Sequence, residues 1–301
     1  YKTYTENQLF SPEISTTTGY SKLYVNAGKV TNKGIELALG FKQNIGPVDW
    51  KTTLLWSLNR NRIDQLLPEY TNEELGVTVH LDEMDVYSLG GAKQRLTVGG
   101  SMGDVYVNTM RTDEHGHIWM NSMTGTLETD KNNYVYAGNT NPKYTLSWRN
   151  EFNWKGISLG FMLNARVGGI GVSATQAVMD YYGVSKTSAE ARDNGGVKVN
   201  GQMIDAQTWY QTIGANGTGY VGSMYVYSMT NVRLGELTLG YDIPINKWCK
   251  WISGLNVSFV GRNLWMLYCK APFDPESTAS TGTYNQGMDY FMQPSLRSMG
   301  F

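Results

Sequence analysis

Hydrophobic and polar residues alternate along residues 143–154 and again along residues 157–166, with a Lys-Gly pair between the two stretches. The apolar positions are Tyr144, Leu146, Trp148, Phe152 and Trp154 in the first stretch, and Ile157, Leu159, Phe161 and Leu163 in the second. A period of two places successive side chains on opposite faces of a β-strand. The pattern therefore predicts a hairpin with one apolar, aromatic face and one charged face.

The same period recurs along most of the chain and predicts an all-β protein. Further strands are predicted at residues 33–43, 49–62, 94–110, 225–242 and 253–267, with a last strand beginning in residues 295–301. Residues 112–120 are interpreted as a tight hairpin in which Gly116 supplies a positive φ. Residues 63–92 and 270–293 are predicted to be exposed loops. One helix, at residues 172–183, is predicted within a long insert at residues 167–224.

The lengths of the connections indicate how the strands are arranged. Those after residues 43, 154 and 242 are short, whereas those after residues 62, 166 and 268 are long. Short turns on one side and long loops on the other are typical of outer-membrane β-barrels. The 111–141 link does not fit this alternation of short and long connections, and the pattern alone does not assign it to either side.

Strand length favours a membrane barrel over a soluble sheet. Strands of about ten residues, at ~3.3 Å per residue and tilted by ~45°, span roughly the 25 Å apolar band of such barrels. Tryptophans at the interfaces form girdles in these proteins. Here they lie mostly at predicted strand ends, at Trp50, Trp56, Trp148, Trp154, Trp248, Trp251 and Trp265. A large soluble β-sandwich with aromatic core residues remains the alternative.

Composition excludes several classes of protein. The 301 residues carry a net charge of −1, which gives no general basis for binding nucleic acid. No apolar run is long enough for a membrane-spanning helix. The first residues lack the features of a signal peptide and resemble a strand already in progress, so the chain is expected to be a piece of a longer protein. Cys249 and Cys269 flank one predicted strand and are expected to be free thiols.

Several short sequence segments, which follow one another along the chain, carry a resemblance to a known family. They are NAGKVTNKGIELALGF (26–41), GDVYVN and RTDEHGHI (103–118), GNTNPKYTLSWRNEF (138–152), ARDNGG (191–196), VGRNLWML and DPE (260–276), and GMDY with PSLRSMGF (287–301). Together they resemble the C-terminal barrel portion of the SusC/RagA-like TonB-dependent outer-membrane transporters of Bacteroidota. The resemblance extends over essentially the whole chain.

The resemblance implies an architecture and a set of partners. Such transporters have a 22-stranded antiparallel transmembrane barrel, an N-terminal plug and a segment that contacts TonB. Residues 1–301 would then be a partial barrel domain without plug and early strands, and residues 167–224 a long extracellular loop with a short helix. The implied partners are a SusD-like lid lipoprotein, TonB–ExbB–ExbD acting through the missing N-terminal part, and outer-membrane lipid.

Candidate functional residues follow from strand parity and loop position. Five charged residues are predicted to face the barrel lumen, where they pair with one another, contact the plug or contact substrate: Glu36, Arg149, Glu151, Arg166 and Arg262. Five loop aromatics are candidates for contact with substrate or lid, with packing inside the loop as the alternative: Tyr181, Tyr182, Trp209, Tyr210 and Tyr220.

No residue pattern indicates catalysis, and no cofactor is expected. The sequence has neither a nucleophile elbow nor a P-loop lysine followed by Ser or Thr. His115 and His117, beside Asp113 and Glu114, are interpreted as turn residues and not as a metal site. The acidic residues Asp82, Glu83 and Asp85, and Asp274 with Glu276, lack the spacing of a calcium loop, so a loop Ca²⁺ site is the less favoured alternative.

The sequence therefore predicts a barrel of the cell outer membrane that is not an enzyme. The expected function is TonB-dependent import of a large nutrient, either an oligosaccharide or other glycan fragment or an oligopeptide. The alternative is a soluble β-rich glycan-binding module without transport activity.

Overall fold

A computed structural model describes residues 1–10, 19, 24–74, 76–121, 123, 126–217, 219–245, 248–249, 251–277 and 286–301. The strands are β1 (Lys2–Phe10), β2 (Val25–Ile45), β3 (Val48–Gln65), β4 (Leu67–Asn72), β5 (Val77–Leu81), β6 (Glu83–Leu89), β7 (Ala92–Thr97), β8 (Asp104–Met110), β9 (Thr129–Asn139), β10 (Tyr144–Trp154), β11 (Ile157–Val167), β12 (Ile170–Ser173), β13 (Val197–Val199), β14 (Gln202–Ile204), β15 (Val226–Ser228), β16 (Asn231–Ile243), β17 (Leu255–Cys269), β18 (Met288–Asp289) and β19 (Ser298–Gly300). The α-helices are α1 (Ala174–Tyr181), α2 (Lys186–Asp193) and α3 (Ala206–Gly214).

An eight-stranded sheet, called the wall below, has the order β1-β2-β3-β10-β11-β16-β17-β19 and is antiparallel throughout. Its short connections, at residues 46–47, 155–156 and 244–254, all lie at one edge. At the opposite edge lie the first insert (66–143), between β3 and β10, and the second insert (168–230), between β11 and β16. The expected asymmetry of short turns and long loops is thus present, and the 111–141 link belongs to the long-loop side.

The hairpin of β10 and β11 has the predicted length and turn. Each strand contains 11 residues, and all 11 pairs are in register from Tyr144↔Val167 to Trp154↔Ile157. Lys155 and Gly156 have φ values of 48° and 87°. Positive φ at both central residues is the geometry of a two-residue hairpin turn that matches strand twist.

The register divides the wall into two chemically different faces, because directly paired residues project to the same side. On the polar face, one row across the strands is Gly40, Thr53, Arg149, Met162, Glu236 and Arg262. The adjacent row on the apolar face is Leu39, Leu54, Trp148, Leu163, Leu234 and Trp265.

Large hydrophobic side chains on the apolar face of the wall are exposed. Leu39 is 54% exposed, Leu239 52% and Trp265 63%. The buried hydrophobic residues lie elsewhere. One cluster joins the two inserts and includes Val107, and a smaller one packs against the long-loop ends of β2 and β3. The apolar face therefore has no core against it within the described part of the chain, which is unlike a soluble sandwich.

The inserts are more regular than the sequence predicted. Residues 63–92 were expected to be an exposed loop, but they contain the end of β3, the β4–β5 hairpin and β6. Strand β6 continues into a four-stranded sheet with β7, β8 and β9. The predicted helix is present as α1, but the prediction of one helix was wrong, because α2 and α3 follow it. None of the helices described is long and apolar enough to cross a membrane. Cys249 and Cys269 are free thiols.

Candidate functional site

Four of the five predicted charged residues at the polar face have ionic or hydrogen-bonded partners. Arg149 lies 2.7 Å from Glu151 and 3.9 Å from Glu236, and Arg262 lies 3.5 Å from the same Glu236. Lys51 approaches Glu151 at 3.7 Å. Each carboxylate thus lies between two cations. Pairing of these charged residues with one another is one of the three roles expected from the sequence. Since these side chains are partly exposed, each pair contributes little to stability, about 0–1 kcal/mol.

Arg166 and Glu36 lie nearer the long-loop edge of the same face. The Nη2 of Arg166 donates a hydrogen bond to the carbonyl of Thr140 at 2.7 Å, which ties the end of the first insert to β11. Glu36 pairs in register with Ser57 and has no ion-pair partner in the described ranges. It lines a hollow of about 420 Å³ beside Ser57 and Thr145, where its carboxylate is exposed.

A larger cavity, called the mouth cleft below, lies where the wall meets the first insert. It has a volume of about 570 Å³, which is within the usual range of ligand sites. The side chains that give it its chemistry are the amides Asn59, Asn61, Asn139 and Asn141, the cations Arg60 and Lys143, and the phenols Tyr136 and Tyr144. Such a surface offers neutral donors and acceptors, aromatic faces and positive charge.

Hydrogen bonds fix part of the mouth cleft in place. The Oδ1 of Asn61 accepts a hydrogen bond from the backbone N–H of Met102 at 2.8 Å, and its Nδ2 donates to Asn32 at 3.0 Å. Asn139 donates to Asp104 at 2.7 Å and accepts from the N–H of Asn141, also at 2.7 Å. These two amides are therefore preorganised, whereas Asn59 makes one long contact of 3.4 Å to Asn32.

The alternation pattern did not predict this cleft, although its residues carry a signal. Asn59 and Asn61, and likewise Asn139 and Asn141, are spaced by two at the ends of predicted strands, so each pair projects to one side. What the pattern could not give is the proximity of the two pairs, which depends on the register between β3 and β10.

The predicted loop aromatics separate into buried and accessible residues. Tyr220 is fully buried and Trp209 nearly so. The Tyr220 hydroxyl donates to the carbonyl of Leu89 at 2.6 Å, and burial raises the pKa of this phenol. Direct contact of these two side chains with a ligand or lid is therefore excluded in this conformation, because both belong to the core that joins the inserts.

Tyr181, Tyr182 and Tyr210 lie around a second, smaller cavity of about 270 Å³ in the second insert. The rings of Tyr181 and Tyr182 meet edge to face at 5.1 Å, and Tyr182 is 63% exposed. Arg192 also lines this cavity. These three phenols remain the accessible members of the predicted aromatic set.

The sequence pattern also did not predict a buried ionic cluster near the end of the chain. Arg233 on β16 is nearly inaccessible and contacts Asp274 at 3.0 Å and Glu276 at 3.1 Å. Asp274 in turn accepts hydrogen bonds from the N–H and hydroxyl of Ser295. Burial alone would raise the pKa of Asp274, but these hydrogen bonds, the N–H of Glu276 and Arg233 lower it to about 2.

The acidic loop residues and histidines serve local structure. Asp113 accepts hydrogen bonds from the N–H groups of His115 at 2.9 Å and His117 at 2.8 Å, which closes the predicted turn and lowers the pKa of Asp113. Asp85 pairs with Arg95 and Lys93. The described residues contain no group of three or more His, Cys, Asp or Glu side chains arranged to hold a metal.

Comparisons with known proteins place this geometry in context. No family profile matches the chain. It is 23% identical, over 328 aligned residues, to TonB-dependent receptor P3 of Formosa agariphila, an alignment that covers 99% of this chain and 31% of the receptor. The solved RagAB peptide transporter superposes with a TM-score of 0.66 at 16% identity, covering 98% of this chain and 31% of that one. For the RagAB peptide importer in its open-open state the TM-score is 0.60 at 17% identity, over 99% and 31% of the two chains.

The chain spans about a third of the length of these relatives. They are named as a receptor and as transporters, which supports the expectation that this chain is not an enzyme. The superpositions agree with the expected antiparallel sheet as part of a barrel. In sequence and fold, the chain is therefore similar to part of the β-barrel of the SusC/RagA-like TonB-dependent transporters.

Proposed function

We propose that the parent protein of this chain imports a large nutrient across the outer membrane in a TonB-dependent manner. The nutrient would be an oligosaccharide or other glycan fragment, or an oligopeptide, and a SusD-like lipoprotein would close over the long-loop side as a lid. TonB–ExbB–ExbD would act through a part of the protein outside this chain. The observation that carries the proposal is the wall, with one exposed apolar face and one charged face.

The exposed apolar face supports a lipid environment on energetic grounds. Apolar surface in water costs about 25 cal/mol per Å² relative to burial. Side chains such as Leu39, Phe41 and Leu239 together expose a continuous surface of this kind along several strands. Contact with acyl chains removes that cost, whereas the opposite face, with Arg149, Glu151 and Glu236, suits a water-filled lumen.

The mouth cleft and the second insert supply surfaces on the side where cargo would enter. Both lie at the long-loop edge of the wall, which is the extracellular edge in outer-membrane barrels. RagAB, a structural neighbour, is named as a peptide transporter, which supports the proposed import function. Functional contacts concentrate in such loops on a rigid scaffold.

Membrane fractionation and uptake test the proposal together. The full-length protein should remain in washed outer membranes until detergent is added, and cells lacking it should fail to grow on at least one oligomeric nutrient. Release of the protein from membranes without detergent would contradict the proposal and would favour a soluble glycan-binding module. Retention in the membrane with unchanged nutrient use would contradict the import function alone.

A further inference from the structure

One stretch of β3 lacks a neighbouring strand in the described structure. Pairing of β3 with β10 ends at Ser57↔Thr145, whereas the next backbone contacts along the same edge join Ile63 to Gly99 and Gly100 at 2.8 Å. Between Ser57 and Ile63 the edge is open over about 20 Å of strand, at ~3.3 Å per residue. The mouth cleft lies in this opening.

The backbone groups of Asn59 and Asn61 point into the opening. Gly34, which is paired with Asn59 across β2 and β3, uses its N–H and its carbonyl to bond Tyr1, the residue before β1, on the far side of β2. The pair Gly34↔Asn59 is therefore a non-hydrogen-bonded one, so the N–H and carbonyl of Asn59 face away from β2. Ile63 bonds outwards on the same edge, and the period of two gives Asn61 the same direction.

These groups form an unused strand edge. Among the described residues, no hydrogen-bond partner is present for the backbone N–H or carbonyl of Asn59 or Asn61. Asn59 is exposed and Asn61 is half-buried, so an added strand can reach these backbone groups, and unpaired groups at a sheet edge are a template for such pairing. An extended peptide supplies matching N–H and carbonyl groups at the same spacing, which is the basis of recognition by strand addition. A sugar chain has no such repeat of amide groups.

Charge identifies which peptides suit the cleft. Its lining includes Arg60 and Lys143 but no Asp or Glu. Neither cation has an ion-pair partner in the described ranges of the chain. A free C-terminal carboxylate or an acidic side chain would therefore be attracted to the cleft, and the neutral amide of Asn141 would not repel it.

We propose that the mouth cleft binds a short, extended, anionic oligopeptide by adding it as a strand to the open edge of β3 at Asn59 and Asn61. The inference rests on the proposed import function and narrows its substrate class from any large nutrient to peptides. Tyr136 and Tyr144 border the cleft and provide contact surface for side chains of the added peptide.

The variant Asn59→Pro tests the strand edge directly. Proline removes the N–H of Asn59, one of the two that point into the cleft, and it leaves the β2–β3 ladder intact because that N–H does not bond β2. Asn59→Ala is the matched control, since it loses the side chain but keeps the N–H. Binding of a library of random pentapeptides with free carboxyl termini is measured on the full-length protein, purified from its outer membrane with any bound partner.

We expect Asn59→Pro to weaken binding about three- to tenfold relative to Asn59→Ala, as the loss of one hydrogen bond requires. Equal affinities for the two variants would overturn the proposal. A second measurement does not depend on the fold of the variants. On the unmodified protein, the same library with N-methylated internal amides should bind about tenfold more weakly or worse, and undiminished binding would also overturn it.

The outcome separates this inference from the function on which it rests. If neutral oligosaccharides bind and the peptide library does not, the peptide assignment fails while TonB-dependent import stands. If the protein is not retained in the outer membrane, the import function itself fails.

Discussion

At the scale of single residues, charge on this chain is neutralised by partners on adjacent strands. Glu236 on β16 lies between Arg149 on β10 and Arg262 on β17, although β11 lies between β10 and β16. The long arginine side chains span that distance because the pairing register puts all three residues in one row. The polar face is therefore held as a network across the wall, with Glu36 left available for other contacts.

Asp274 gives a prediction for pH dependence. Its folded-state pKa of about 2 lies below the usual value of 3.8, so its ionised form stabilises the fold. This contribution is fully present above about pH 4 and is lost as the pH falls through about 2. We expect about 1–2 kcal/mol to be lost in this window, seen as lower amide-exchange protection factors at residues 270–277.

The variant Asp274→Asn is the control for this effect, because an amide does not titrate. Protection factors at residues 270–277 in that variant should already be low at neutral pH and should change less on acidification. A steep loss of protection in the variant over the same pH range would assign the effect to another group.

At the scale of elements, the two inserts are joined by a close backbone approach at the β6–β7 turn. A Cβ atom added at Gly91 would lie 1.9 Å from the carbonyl oxygen of Tyr220 and 2.6 Å from the nitrogen of Gly222. Asn108 reinforces the junction, since its side chain accepts a hydrogen bond from Gly222 at 2.7 Å. Glycine is required here because backbone, which cannot move aside like a side chain, occupies the space.

We therefore expect Gly91→Ala to separate the inserts locally and to destabilise their junction by at least about 1–3 kcal/mol, the usual cost of overpacking. Faster amide exchange in α3 and in residues 220–225 would report it. Gly40→Ala is the control, because a Cβ at Gly40 meets no atom within 4 Å. Equal exchange in the two variants would show that the junction tolerates the added methyl group.

The wall could be predicted from the sequence far better than the inserts. Strands β10 and β11 are long, alternate strictly and are joined by a Lys-Gly turn, so local pattern determines them. Strands β4 to β7 have five to seven residues each, which is too short for alternation to distinguish them from a loop. Helices α2 and α3 are also short, but their N-cap residues, Ser185 and Asp205, are of types that indicate the start of a helix.

The mouth cleft could not be predicted, for a different reason. Asn59 and Asn139 are 80 positions apart in the chain, and they meet only because β10 begins opposite Ser57 and leaves the rest of β3 open. Neither the alternation of apolar and polar residues nor the composition predicts the register between β3 and β10. The same holds for the ion pair of Arg233 with Asp274, which joins a strand to a distant loop.

At the scale of the whole molecule, the chain reverses the usual arrangement of a soluble protein. Its hydrophobic cores lie in the inserts and where the first insert meets the long-loop ends of β2 and β3, whereas the rest of the large regular sheet exposes apolar side chains on one face. This arrangement is consistent only with a sheet whose apolar face has another nonpolar environment, and lipid is the environment proposed here. The inserts, with their own cores and caps, then form a water-facing structure at one edge of the wall.

The most direct test of this arrangement is the accessibility of spin labels placed one at a time along residues 35–42 of β2, in the full-length protein in lipid bilayers. The native thiols Cys249 and Cys269 are free and are first replaced. Labels at Ile35, Leu37, Leu39 and Phe41 should collide with lipid-dissolved oxygen, and labels at Glu36, Ala38, Gly40 and Lys42 with a water-soluble nickel complex. Access of the nickel complex to both sets, or of oxygen to neither, would contradict a lipid-facing wall.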